Sequence, residues 1–572
     1  MRLPRPGWLD VVWGGLLPGA LAGVHLAGLI FFLNPRIPFT PGPVARGILF
    51  YSGLLGAASL LLHLPFLWGR PRRARRWLPW GLTLVLGGAA ALDWTHASHY
   101  AYYLPAGIND RLLKTALWLT LGALIAFYTA LLHSLHRRRY GWRSRYGFAL
   151  MALLSVYATV ERREAFRPQP VEPPPPIAVE AGQRPRLWVV GLETATLDAI
   201  LPLAGQGRLP FLAGVLEQGA YGRLETFSPS WREAVWTTLA TGKYPHKHGV
   251  KGSRSYPASW IAPGAEIILV PVGISFRRWG MPWTGPERGG HPRRALALWE
   301  ILPRLEIPAA TLAWPASAPA GPGPVYSLTD RFFSDPRDRA AAKPQDLAAR
   351  ALLFRVPPDE IGPSERARFG PDPRRSLLEA LAGDLWRESI SFFLLEQHPE
   401  VEATFVTLPG LREVSRRDFG GFAAVQFEGA QEEEARQAAE RVAGYYAELD
   451  EYLAEVWSRL PEPKVLAVVS AHGVEPRPGA LADAFGPRDL GGDFNDAPDG
   501  VLLLHGSAGT GIRPRALLTG ARAVDLVPTL MYALGFPVAR DLDGQVLTAA
   551  FDERYLARHP LTFLPTYEGL QE

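Results

Sequence analysis

Residues 186–196 read RLWVVGLETAT, and the stretch they open runs on through GRLPFLAGVLEQGAYGRLETFSPSWREAVWTTLATGKYPHKHGVK at 207–251. The opening apolar run ends in one acidic residue, Glu193. It shows no alternation of polar and apolar positions, the mark of a parallel strand covered on both faces. A turn, two helical patterns and the Gly242-Lys243 corner follow. In open α/β sheets ligand-handling residues gather beyond the carboxyl ends of such strands, so Glu193 stands where chemistry is expected. The pattern continues to the C-terminus, with 465–470 and 501–504 as buried strands and 430–457 as a long amphipathic helix. The expected fold class is α/β, a mostly parallel sheet flanked by helices.

A chain of 572 residues is too long for one ordinary domain. Its 48% hydrophobic content is high for a purely soluble protein, and the apolar runs cluster in the first third. The net charge of +5 is modest, and no aromatic-interleaved basic groove is evident, so no nucleic-acid partner is expected. With no cysteine in the chain, disulfides, thiolate metal sites and cysteine nucleophiles are excluded. The 54 prolines and the excess of Arg over Lys fit a GC-rich bacterial genome.

Apolar segments lie at 8–33, 47–68, 77–92, 112–133 and 146–160. A spanning helix needs about 20 apolar residues. The first, second and fourth segments meet that, while the third and fifth are short; the third extends through the aromatic run at 100–103, and the alternative for each is an interfacial helix. The second segment is followed by Arg70, Arg72, Arg73, Arg75 and Arg76, and the fourth by Arg137, Arg138, Arg139, Arg143 and Arg145. The positive-inside rule places both loops in the cytoplasm, together with the N-terminus and its Arg2 and Arg5. Five crossings then put everything after Val160 outside. The expectation is an integral protein of the inner or plasma membrane, with the lipid bilayer as partner and a large periplasmic or extracellular C-terminal domain. No A-x-A-like cleavage site follows the first segment, so it reads as a retained anchor. Polar residues are few: Asp10, His25 and His63 lie within these segments and Asp93 follows the third, and intramembrane ionisable groups are functional candidates by default. The two aspartates sit near segment ends, where solvation explains them. The histidines read as neutral packing groups, with a shared small polar core as the alternative.

Residues 166–184, FRPQPVEPPPPIAVEAGQR, form a Pro-rich and therefore stiff spacer. The expected domains are a transmembrane helical domain at 1–165, this linker at 166–185, and the α/β domain at 186–572. Within the last, 253–290 is rich in Gly, Pro and Trp and reads as a surface excursion near the site.

Several motifs resemble the type I phosphodiesterase/nucleotide pyrophosphatase family of the alkaline phosphatase superfamily. GLETAT at 191–196 is similar to that family's GLDGAT-like strand end, and TGKYPHKHG at 241–249 to its TGKNPGKHG-like corner. LAWPASAPA at 312–320, VYSLTDRF at 325–332 and VVSAHG at 468–473 resemble further family segments. VDLVPTLMYALGFPVARDLDGQVL at 524–547 resembles its closing segment and is the most specific signal in the chain. The resemblance implies an alkaline-phosphatase-like fold. It also implies a site in which two divalent metals, held by Asp and His about 4 Å apart, activate a Thr or Ser nucleophile.

Matched position by position, that site is largely replaced. The resemblance puts the first metal ligand at Glu193 and the nucleophile at Arg232, with Ser230 the nearest hydroxyl. The family's D-x-x-x-H pair falls on Arg412 and Arg416, its Asp-His pair on Ala471 and His472, and its last His on Phe494 beside Asn495 and Asp496. One ligand is unchanged, one is conservatively changed and five positions are lost. No catalytic residue, metal or cofactor is therefore expected. If a site were rebuilt, Glu193, His472 and Asp496 would be its ligands and zinc or manganese its ion.

Three arginines at converging positions pose two alternatives. They line a metal-free pocket for a phosphate-like or lipid-headgroup-like anion, since Arg holds such groups bidentately. Or they are neutralised by acids, for example Arg232 by Glu193 or Glu233, because buried charges need partners; this second alternative is the simpler. His246 and His248 look like a metal pair but sit in the structural corner. The functional expectation is a membrane-anchored pseudoenzyme acting as a binding, scaffolding or regulatory module in the cell envelope, with an anionic ligand or an envelope protein as partner. The alternative is an active phosphodiesterase, phosphatase or phospho-headgroup transferase with a rearranged metal site.

Overall fold

The computed structural model describes residues 7–68, 77–136, 140–160, 184–252, 255–271, 293–370, 373–477, 489–494 and 498–570. Arg2, Arg5, Arg70 to Arg76, Arg137 to Arg139, nearly all of the Pro-rich linker, and Asp496 lie outside the described residues. The chain divides into two units, Met1–Gln169 with Lys251–His291, and Pro170–Val250 with Pro292–Glu572.

The first unit is built on five helices: α1 (Gly7–Leu33), α2 (Pro41–His63), α3 (Leu78–His99), α4 (Ala106–Leu135) and α5 (Trp142–Val160). Three are long and apolar enough to cross a membrane: α1, α2 and α4. The other two runs expected from the sequence are also helical, but polar side chains dilute them. α3 carries Asp93, Thr95, His96 and His99, and α5 begins with Arg143 and Arg145. A stripe of small residues brings α1 against α2. A methyl group on Gly19 would lie 2.3 Å from the Leu55 carbonyl oxygen, and one on Gly23 would lie 2.4 Å from the Ser52 backbone. Backbones approach this closely only across glycine, as in small-x-x-x-small helix pairs. His25 does not meet His63. Its Nδ1 lies 2.9 Å from Thr159 Oγ1 and its Nε2 3.3 Å from Ser155 Oγ, both on α5, whereas His63 Nδ1 bonds the Ser59 carbonyl of its own helix at 2.8 Å.

The described part of the insertion, 255–271, belongs to this helical unit rather than forming a surface excursion of the α/β domain. It folds as a short hairpin in which Tyr256 pairs with Ile267 and Pro257 with Glu266. Its apolar residues Ala258, Ile261, Ala262, Ala265 and Ile267 are buried in one cluster with Leu26, Ala27, Ile30, Phe31, Ile37 and Tyr51. Burial of that face explains the departure from the sequence reading.

The second unit contains a nine-stranded sheet. In chain order its strands are β1 (Arg186–Leu192), β2 (Ala220–Glu225), β3 (Ala309–Leu312), β4 (Tyr326–Leu328), β5 (Ala342–Lys343), β6 (Ala403–Leu408), β7 (Lys464–Ser470), β8 (Gly500–Gly506) and β9 (Ala516–Arg522). Across the sheet they run β9-β2-β8-β7-β1-β6-β3-β4-β5. β1 is central and parallel to both neighbours, β6 and β7, while β8 is antiparallel to β7 and β2. The sheet is thus mixed but mostly parallel. Six of the seven β1 residues and every residue of β6 and β7 are buried, as a doubly covered sheet requires. The helices that frame the site are α6 (Arg232–Thr241), α7 (Arg375–Gln397), α8 (Gly410–Glu428) and α9 (Glu433–Arg459).

Candidate functional site

Strand register brings the site together. Gly191 of β1 stands opposite Thr407 of β6 and Val469 of β7, so all three strands finish at one edge. Glu193, the start of α8 at Gly410, and the Ala471-His472 pair all emerge there. α6 reaches the same edge because Gly191 has no side chain. A Cβ there would lie 2.5 Å from the Trp236 ring, so Trp236 of α6 packs directly on β1. The Trp314 ring then closes on Trp236 edge-to-face, with centroids 5.2 Å apart.

Arg232, the first residue of α6, turns its guanidinium onto Glu193. Nε lies 2.8 Å from Glu193 Oε1, and Nη2 bonds the same oxygen. Glu193 is buried, 1% exposed. Burial opposes the charge on Arg232, but Glu193, then Glu233 and Asp330, more than offset this and hold its pKa above the usual value. The second carboxylate oxygen, Oε2, makes no hydrogen bond among the described residues. Arg412 of α8 also approaches it, with Nε 3.9 Å away and its guanidinium 5.6 Å from the centre of the Phe494 ring.

Arg416 is drawn elsewhere. Its Nε and Nη2 bond Glu413 at 3.1 and 2.6 Å on the exposed side of α8. The structure therefore brings Arg232 and Arg412 to Glu193 and pairs Arg416 with its own helix. Ala471 is buried and offers no ligand atom. His472 Nδ1 lies 3.0 Å from the Gly473 carbonyl oxygen, and its ring packs 6.0 Å from that of Phe494. Burial lowers the His472 pKa, with Arg412 and Arg232 adding to the shift and the Gly473 carbonyl and Glu193 opposing it. Ser230 Oγ makes a long contact, 3.5 Å, with the Phe494 carbonyl.

Residues outside the matched site positions support this arrangement. Thr194 follows Glu193 with φ of 70°, a region that a β-branched side chain rarely enters. Its hydroxyl donates to Ser415 of α8 at 3.2 Å and so ties the β1 turn to the helix carrying Arg412. Asp384 of α7 accepts from the Gly410 N–H and from the Tyr445 hydroxyl, both at 2.9 Å, and pins the start of α8. Burial lifts the Asp384 pKa to about 6 despite these bonds and the nearby Arg387. The only sequence signal for this anchor is an acid set among apolar residues in LEALAGDLW.

The corner at 241–249 is structural. Lys243 bonds Asp541 at 2.7 Å and Glu568 at 2.5 Å, and the Tyr244 N–H donates to Asp543 at 2.8 Å. His248 bonds Thr238 at 3.0 Å through Nε2 and accepts from the Val250 N–H at 3.2 Å through Nδ1.

Among the described residues no three His, Asp or Glu side chains are grouped closely enough to hold a metal ion. Among the described residues the metal-type donors of the matched positions are Glu193, which spends one oxygen on Arg232, and His472. Two flanking guanidiniums disfavour a cation there. This donor set does not fit a two-metal centre.

The family model for type I phosphodiesterase/nucleotide pyrophosphatase matches residues 187–490, which takes in β1 through β7 and every site position up to His472. The chain belongs to that family. Among solved structures, a phosphonoacetate hydrolase from Sinorhizobium meliloti is 16% identical, with a TM-score of 0.31 over 52% of this chain and 59% of that one. The phosphonate monoester hydrolase SpPMH from Silicibacter pomeroyi is 14% identical, with a TM-score of 0.32 over 64% of this chain and 76% of that one. Wild-type alkaline phosphatase PafA is 11% identical, with a TM-score of 0.41 over 65% of this chain and all of that one. No curated protein matches.

Proposed function

We propose that the α/β unit is a catalytically degenerate phosphodiesterase-fold module, anchored to a cell envelope by the helical unit, that works by binding rather than turnover. The observation that carries this is the pairing of Arg232 with Glu193. Arg232 stands at the helix-opening position that the family fills with a hydroxyl nucleophile. A guanidinium stays protonated and has no nucleophilic lone pair at neutral pH. The same side chain also occupies the carboxylate that would otherwise serve as the first metal ligand.

A membrane anchor accords with the three long apolar helices. The inside-facing N-terminus and outside-facing α/β unit follow from the arginine-rich loops of the sequence. Arg412 is the arginine best placed to receive an anion, because its guanidinium makes no hydrogen bond among the described residues and is nearly half exposed. A phosphate or carboxylate group is the chemistry it would recognise.

The test is hydrolysis of aryl phosphate mono- and diesters by the full chain in detergent, with and without added zinc or manganese. No turnover above background is expected under any condition. Metal-dependent turnover that Ser230→Ala abolishes would overturn the proposal in favour of an active hydrolase.

A further inference from the structure

The polypeptide passes between its two units at 169/170, 250/251 and 291/292. The described stretch of the middle excursion, 255–271, is tied to the helices. Asn34, the residue after α1, is 3% exposed and spends its amide group almost wholly on the hairpin. Oδ1 accepts from the Ile268 and Leu269 N–H groups at 2.7 and 3.0 Å. Nδ2 donates to the Leu269 carbonyl at 2.9 Å and to the Ile30 carbonyl at 3.0 Å. A carboxamide has two donor hydrogens and two acceptor lone pairs, and here all four are used. Arg46 of α2 adds a bond from Nε to the Ile261 carbonyl at 2.8 Å, and Tyr100, after α3, one from its hydroxyl to the Val270 carbonyl at 2.9 Å. Three separate parts of the helical unit thus read the hairpin backbone, while its side chains enter the apolar cluster around Ile30 and Phe31.

We infer that segment 255–271 is a plug and the ends of α1, α2 and α3 its receptor, so that this seat, and not the covalent linker at 161–183, keeps the C-terminal chain on the helical unit. Every backbone group of the plug that the helices satisfy would be a buried, unmet polar group if the seat were filled by anything of different shape. The receptor is therefore specific for this segment. The helical unit is then more than an anchor, since it holds a piece of the α/β domain's own chain as a folded part of itself.

The experiment uses the full chain with a site-specific protease sequence placed within 166–183 and an affinity tag at the N-terminus. After cleavage in detergent, the N-terminal fragment is captured and the C-terminal fragment is followed. Retention on the resin is the expected result, and release in detergent overturns the proposal. Retention on native membranes combined with release in detergent also overturns it, because lipid would then be the partner. The plug-side variant Ile261→Asp leaves the receptor helices untouched and is expected to send most of the fragment to the flow-through. The receptor-side pair Asn34→Ala with Arg46→Met is expected to do the same. Undiminished retention by both variants would show that the seat does not carry the association.

Discussion

Arg232 Nε and Glu193 Oε1 are 2.8 Å apart at the carboxyl end of the central strand, and Glu193 is almost wholly buried. The two residues replace a nucleophile and a metal ligand with an ion pair, and each explains the other's presence. Removing one partner of a buried pair leaves an uncompensated charge, which costs about 3 kcal/mol or more. Arg232→Met is expected to lose that amount of stability, and Arg232→Met with Glu193→Leu to recover most of it. Urea unfolding followed by tryptophan fluorescence checks this, and a double variant no better than the single would refute the pairing as the cause.

Thr194 makes a second prediction with a sign that contact counting would miss. A β-branched residue at φ of 70° is strained. The left-handed conformation costs a residue with a Cβ about 1–2 kcal/mol that glycine avoids. Thr194→Ala keeps the strain and loses the bond to Ser415, so it should destabilise by about 1 kcal/mol. Thr194→Gly should exceed Thr194→Ala by about 1–2 kcal/mol. Equal unfolding midpoints for the two would mean that the backbone is not held there.

Asp384 predicts a pH dependence. Its folded pKa of about 6 lies above the ordinary value of 3.8, so the native state favours the protonated carboxyl. Its contribution to stability is full below pH 4 and is lost as pH rises through about 6. Glu388, raised by burial, acts in the same direction, whereas His472, lowered by burial, acts in the opposite one. The Asp384 share is therefore read by difference. Asp384→Asn can still accept from Gly410 and Tyr445, and the fall in its unfolding midpoint between pH 4 and 7 should be shallower than in the parent. Parallel curves would show that Asp384 does not titrate there.

The Lys243 corner joins two distant parts of the sequence, since its ammonium, 8% exposed, bridges Asp541 and Glu568. Lys243→Met strands those acids and should cost about 3 kcal/mol in urea unfolding, and removing both acids as well, with Asp541→Asn and Glu568→Gln, should recover much of it. A triple variant no more stable than Lys243→Met would point to packing instead.

Those parts of the fold that depend on local pattern are legible in the amino-acid sequence alone. The unbroken apolar run at 186–192 is β1, and the amphipathic pattern at 430–457 corresponds to α9 at Glu433–Arg459. Glu193 and Arg412 follow two adjoining strands, β1 and β6, and Arg232 joins them because α6 packs on Gly191. Arg416 is harder to place. It shares a helix face with Arg412 at a spacing of four, but Glu413, three residues before it, captures its guanidinium. That competition depends on side-chain geometry. Thr194 stands where the resembled GLDGAT-like strand end has glycine, the residue that a positive φ favours, whereas Asp384 carries little signal because a buried acid anchor comes from tertiary packing. The seat of 255–271 is invisible for another reason: its partner, Asn34, lies 235 residues upstream of Leu269.

That last separation bears on how the protein can be divided. A cut at residue 185 looks clean, because it falls beside a Pro-rich stretch just before the first strand. It would nevertheless leave the hairpin without α1 and α2. The fragment would carry Ile261, Ala262 and Ile267 as an uncovered apolar face, together with backbone amides at 268 and 269 that had lost their acceptor. A truncation chosen for solubility would create a sticky surface, and self-association of such a fragment would say nothing about the oligomeric habit of the whole chain.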